Sequence, residues 1–110
     1  MSEELYHLIK ELNEKFTLIS LSSEDAQLTL ERNRKRDLER HFKELGKEIE
    51  ECCCLRSKIR ALKLKENTTA EEVRTWNQKV TKDLNPFEDI MDLLGQAIEK
   101  VDDEMSENKF

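Results

Sequence analysis

The sequence predicts an all-α protein, folded as an elongated antiparallel helical hairpin or three-helix bundle with coiled-coil packing. Two glycines and one proline in 110 residues leave the chain with very few helix-breaking residues. Its apolar side chains recur at alternating spacings of three and four, the heptad pattern of packed helices. With 36% hydrophobic and 40% charged residues, the chain supplies a narrow helical core rather than a thick globular one. We expect a single helical domain over residues 1–110.

The first predicted helix covers residues 3–20. Its apolar stripe steps by four and three along one face, at Leu5, Ile9, Leu12, Phe16 and Ile19. Ser22 to Asp25 is typical of a helix start, because a serine oxygen accepts from free backbone amides and acidic residues favour the positive helix end. We therefore expect a break near residue 21, where the first helix folds back. The alternative is one uninterrupted helix that continues into the next segment.

The second predicted helix covers residues 23–66. Its heptad pattern is strong from Leu38 to Leu62 and weak over its first third. At about 1.5 Å of rise per residue such a helix is about 66 Å long, so the molecule should be a rod. Residues 67–69, Asn-Thr-Thr, end this helix, and Thr69 with Glu71 or Glu72 forms a capping-box pattern for the next one.

Two further helices are predicted, over residues 70–83 and 86–105, followed by a frayed tail at 106–110. The single proline separates them, because Asn85-Pro86 is a typical cap and first helical position. The interruption at this point is either a helix boundary or a kink within one helix. The apolar stripe continues on both sides of it, from Val73 to Met105.

The short turn at 67–69 predicts an antiparallel hairpin in which facing residues have numbers that sum to about 135. In this register a basic stretch of the second helix faces an acidic arm of the last one. Opposite charges at these positions would favour this register, although each exposed pair contributes only about 0 to 1 kcal/mol. The basic positions are Arg32, Arg34, Lys35, Arg36, Arg40 and Lys43, and the acidic ones include Glu99, Asp102 and Asp103.

An apolar strip near the tip of this hairpin is predicted to be an interface. Two helices alone cannot cover it, and large uncovered apolar patches usually mark protein contacts. Trp76 is its largest member, and its alternative role is to staple the two helices together. We therefore expect a helical partner protein or a second copy of the chain. The strip consists of Leu55, Ile59, Leu62, Leu64, Val73 and Trp76.

No catalytic, cofactor or metal site is predicted. Cys52, Cys53 and Cys54 are consecutive, so on a helix they point about 100° apart and do not converge on one tetrahedral ion. Cys52 lies on the apolar stripe and is expected in the core. Cys53 and Cys54 are expected to face solvent or a second chain.

The predicted function is a non-catalytic protein–protein interaction module, adaptor or subunit, of the kind found in cytoskeletal, chromosome-segregation or vesicle-tethering complexes. One alternative is a nuclear or nucleic-acid-associated factor that uses the basic stretch, which a net charge of −6 disfavours. A second follows from Asn85-Pro86-Phe87, which resembles the tripeptide recognised by EH-domain endocytic adaptors. With no secretory signal pattern after Met1 and no long apolar run, the expected location is intracellular, cytoplasmic with the nucleus as the alternative.

Overall fold

A computed structural model describes residues 2–107, with side chains described for residues 2–103. Three helices pack side by side: α1 (Glu3–Arg32), α2 (Lys35–Lys65) and α3 (Ala70–Glu107). Short turns join them, so consecutive helices are antiparallel, and the described residues contain no strand. The bundle measures 64 × 21 × 16 Å. The prediction of an elongated all-α three-helix bundle is therefore confirmed.

The first helix begins at a side-chain cap. The hydroxyl oxygen of Ser2 accepts a hydrogen bond from the Leu5 amide at 3.1 Å, and two glutamates occupy the first turn. The Glu66 carboxylate, at the end of α2, accepts a second bond from the Ser2 amide at 2.9 Å. The start of α1 is thus fixed both by its own sequence and by the end of the neighbouring helix.

The predicted break near residue 21 is wrong, because α1 continues to Arg32. Ser23, predicted to cap a helix, is buried on the core-facing side of α1 together with Ala26. Small side chains at these positions let the helices approach closely. The same small residues also occur at helix caps, so the sequence alone does not separate the two roles. The second helix accordingly begins at Lys35 rather than at residue 23.

The actual turn between the first two helices lies at residues 33 and 34. Asn33 has a φ of 53° and a ψ of 39°, in the left-handed region, where asparagine is one of the few non-glycine residues found. Its amide donates to the Thr29 carbonyl at 2.9 Å, which ends α1. The fold-back therefore occurs twelve residues later than predicted, so that α1 runs along the whole hairpin.

The turn between α2 and α3 is at the predicted place. Asn67 adopts a positive φ of 67°, and Thr69 caps α3. The Thr69 hydroxyl accepts from the Glu72 amide at 3.2 Å, and the Glu72 carboxylate accepts from the Thr69 amide at 3.4 Å. This reciprocal pair is the predicted capping box.

The third helix is continuous through Pro86, so the prediction of two helices over 70–83 and 86–105 is wrong. The apolar residues on either side, Leu84 and Ile90, are both buried, and Pro86 itself is exposed. Packing on both sides therefore maintains the helix where the proline removes one backbone hydrogen bond. The predicted frayed tail begins inside α3, which extends to Glu107, and residues 108–110 lie outside the described residues.

The register of α2 against α3 follows from three contacts. A Cβ atom on Gly46 would lie 3.1 Å from the Met91 methyl group, and one on Gly95 would lie 3.5 Å from the Phe42 ring. The third contact is an ion pair between Lys35 and Asp102. Each pair of numbers sums to 137, two residues from the predicted register. The largest fully buried side chains among the described residues are Ile19, Leu38, Leu45, Cys52, Ile59, Leu84 and Leu94.

Candidate functional site

Most of the predicted apolar interface belongs to the core. Ile59 has no exposed surface, and Leu55 and Val73 are also buried. The sequence prediction assumed that only two helices cover this end. In the structure α1 packs along the full length of the hairpin as a third helix and covers these residues. Leu62 is half-buried, and Leu64 is the one member of the strip that is 52% exposed.

Trp76 is half-buried and packs against the core cluster. The ammonium group of Lys63, on α2, lies 5.3 Å from the centre of the indole ring, a distance at which a cation is attracted to an aromatic face. Trp76 therefore joins α2 to α3, which is the stapling role given above as the alternative to an interface.

The predicted charge register is present in one contact between described side chains. Lys35 Nζ lies 2.5 Å from Asp102 Oδ1, and this hydrogen bond raises the pKa of Lys35. Arg40 instead pairs within α2, with Asp37 at 3.4 Å. The remaining predicted members are exposed, and among the described side chains none of them forms an ion pair within 4 Å: Arg32, Arg34, Arg36, Lys43, Glu99 and Asp103.

Polar contacts between α1 and α2 were not predicted, because the sequence placed the fold-back elsewhere. Lys15 Nζ donates to Glu51 Oε2 at 2.5 Å, and the bond raises the pKa of the lysine and lowers that of the glutamate. Two turns further along α1, the Ser22 hydroxyl donates to Glu48 at 3.0 Å. These two contacts fix the register of α1 beside α2.

Cys52 lies in the core, as predicted, whereas Cys53, predicted to face solvent or a second chain, packs against the core. Cys52 is buried, Cys53 is half-buried with an Arg56 nitrogen 3.7 Å from its sulfur, and Cys54 is exposed. Within the described residues, no group of three His, Cys, Asp or Glu side chains is arranged to hold a metal ion. Burial raises the pKa of the Cys52 thiol to about 11, from an ordinary value of 9.0.

We expect the free energy of unfolding to decrease at alkaline pH because of Cys52. Because its pKa is higher in the folded chain, the unfolded chain loses the proton first, so the stabilisation is present below pH 9 and is lost as the pH rises to about 11. Urea midpoints of the native protein and of Cys52→Ala, measured below pH 9 and near pH 11, test this. The difference between the urea midpoints of the two proteins should decrease with rising pH, whereas a constant difference would contradict the prediction.

A run of exposed apolar side chains follows the outer face of α1. Leu21 and Leu28 are 56% and 57% exposed and lie one heptad apart, opposite the buried heptad positions of the same helix. Leu18 is 50% exposed and borders this run, and Tyr6, 58% exposed, lies on the same side of the helix twelve residues nearer its start. A shallow groove of about 450 Å³ lies beside Tyr6, lined by Ile9, Lys10, Asn13, Glu14 and Thr17. We call Tyr6, Leu18, Leu21 and Leu28 the outer face of α1.

The sequence interpretation missed the outer face of α1, although a signal for it exists. Leu21 and Leu28 fall outside the predicted stripe but repeat at the heptad interval. The predicted break near residue 21 divided them between a loop and a weak helix start, so the repeat was not recognised. On one continuous helix the same residues form a second apolar edge, opposite the core.

The tripeptide Asn85-Pro86-Phe87 lies within α3 rather than in an exposed turn. Phe87 is half-buried, and its ring centre lies 6.4 Å from that of Phe16 on α1. This aromatic contact is part of the packing of α3 against α1.

Among the described residues, none of the helices is long and apolar enough to cross a membrane. The chain matches no protein-family model, and comparison with curated proteins and with solved structures finds no significant match to either.

Proposed function

We propose that the protein is a non-catalytic helical interaction module, an adaptor or small subunit that binds a helix of a partner protein along the outer face of α1. The observation that carries this proposal is the alignment of three half-exposed leucines on one side of a helix whose other side is fully used by the core. A helical partner is the natural occupant, because the three leucines lie on one side of α1 and form a strip about 15 Å long, which the side chains of a second helix can cover.

The exposed leucines give a reason for a partner to bind. Burying a leucine side chain completely contributes about 1.5 to 3 kcal/mol. Leu18, Leu21 and Leu28 each keep about half of their surface in water, so half of that contribution remains available at each position. Single exposed apolar residues need no explanation, but several on one side of one helix form a surface typical of protein contacts.

The basic stretch supports a nucleic-acid function less well. Lys35 is neutralised by Asp102 and Arg40 by Asp37. The whole chain carries a net charge of −6, which repels a phosphate backbone at long range. Protein binding through the outer face of α1 does not require a positive net charge.

A photo-crosslinking side chain at Leu21 tests the proposal in cells that express the full chain. Gln78 is the control position, because it is exposed on α3, away from the outer face of α1. We expect a discrete cross-linked product from position 21, none from position 78, and loss of the product when Leu28→Lys is added to the position 21 variant. Equal products from both positions, or none from position 21, would refute the proposed function.

A further inference from the structure

We infer that the outer face of α1 pairs with the same face of a second copy of this chain, in antiparallel orientation, about a twofold axis beside Thr17 and Leu18. This inference rests on the proposed function, since it names the occupant of the same surface. It is argued from the distribution of charge and apolar side chains along α1.

The charges of α1 favour the antiparallel arrangement. When facing residues have numbers that sum to 35, Lys10 of each copy lies opposite Asp25 of the other, and Glu3 lies opposite Arg32. The twofold axis repeats both pairs, which gives four complementary contacts. A parallel arrangement in register would instead place Lys10 against Lys10 and Asp25 against Asp25. All four side chains are exposed, and neither Lys10 nor Asp25 has an ion pair within 4 Å among the described side chains.

The apolar side chains agree with the same register. Leu18 lies next to the twofold axis and meets Leu18 of the second copy. Leu21 lies opposite Glu14 of the second copy and about one helical turn from its Leu18. Tyr6 falls within one helical turn of Leu28 of the second copy, at both ends of the contact. One register therefore covers all four members of the outer face of α1, which are exposed in the single chain.

The size of this contact predicts a weak dimer. A helix of this length spans about 45 Å, and a strip roughly 10 Å wide buries about 450 Å² on each copy, or about 900 Å² in all. Stable interfaces bury about 1,200 to 2,000 Å². We therefore expect association that depends on protein concentration, and on salt because charge pairs select the register.

Sedimentation equilibrium on the full chain tests the register with two charge reversals, Lys10→Glu and Asp25→Lys. Each variant alone places like charges opposite one another twice, so its self-association should weaken about tenfold. An equimolar mixture of the two variants should recover the native affinity, because the glutamate introduced in one copy then faces the lysine introduced in the other. The two positions are about 22 Å apart on one straight helix, so they cannot compensate within a single chain. Circular dichroism checks that both variants are folded.

The outcomes separate this inference from the proposed function. A native chain that remains a monomer at its highest soluble concentration overturns the dimer, and so does a mixture that associates no better than the single variants. Cross-linking from position 21 to a different protein would then leave the interaction module standing without the dimer. Cross-linking of position 21 to a second copy, together with recovery in the mixture, supports both.

Discussion

Replacing Ile59 by alanine is expected to lower the free energy of unfolding by about 2 to 5 kcal/mol. Ile59 has no exposed surface and belongs to a core cluster to which all three helices contribute, so the smaller residue leaves a cavity. A loss of this size is a large fraction of the roughly 5 to 15 kcal/mol that is usual for a domain, on the order of 10 °C or more in melting temperature. Urea unfolding followed by circular dichroism measures it.

Leu64→Ala is the matched control, on the same helix and in the same predicted interface. Leu64 is 52% exposed, and its truncation should change the free energy of unfolding by less than about 1 kcal/mol. If Ile59→Ala were as mild as this control while weakening association, Ile59 would belong to an interface and not to the core.

Replacing Pro86 by alanine is expected to raise the free energy of unfolding by about 2 kcal/mol. A proline inside a helix costs about 3 kcal/mol through its missing amide and its clash with the preceding turn. About 1 kcal/mol of this gain is lost, because the unfolded chain without the proline has more conformational entropy. Pro86 is exposed within α3, so the smaller residue removes no core contact. Thermal melting of the variant beside the native chain measures the gain.

Asn85→Ala serves as the control for the proline variant. Asn85 is exposed in the middle of α3. Asn85→Ala should therefore raise the free energy of unfolding only by the difference in helix propensity between alanine and asparagine, about 0.7 kcal/mol or less. A larger loss on Asn85→Ala would indicate a true helix cap at this position. A loss of stability in Pro86→Ala would show that the proline shapes α3 against its neighbours.

Much of the hairpin could be predicted from the sequence because two independent patterns specify it. The apolar phase of α2 and α3 and the turn at Asn67 to Thr69 place Lys35 near Asp102, and the structure shows this contact. A capping box has a fixed spacing and a direct physical cause, so the start of α3 was also predictable.

The path of α1 could not be predicted in the same way. A serine can cap a helix or fill a close contact between helices, and only tertiary packing distinguishes the two roles. Ser23 is buried and has the second role. The left-handed turn at Asn33 was missed because asparagine adopts that conformation at a small fraction of its positions. Once α1 is extended to Arg32, the burial of Ile59 and the exposure of Leu21 both follow.

The bond between the Ser2 amide and the Glu66 carboxylate joins positions 64 residues apart in sequence. Closing so long a loop for a single bond is entropically unfavourable, so the bond forms after α1 has docked on the hairpin. The bond therefore restrains the first turn of α1 once the three helices have packed, and contributes nothing while α1 is undocked.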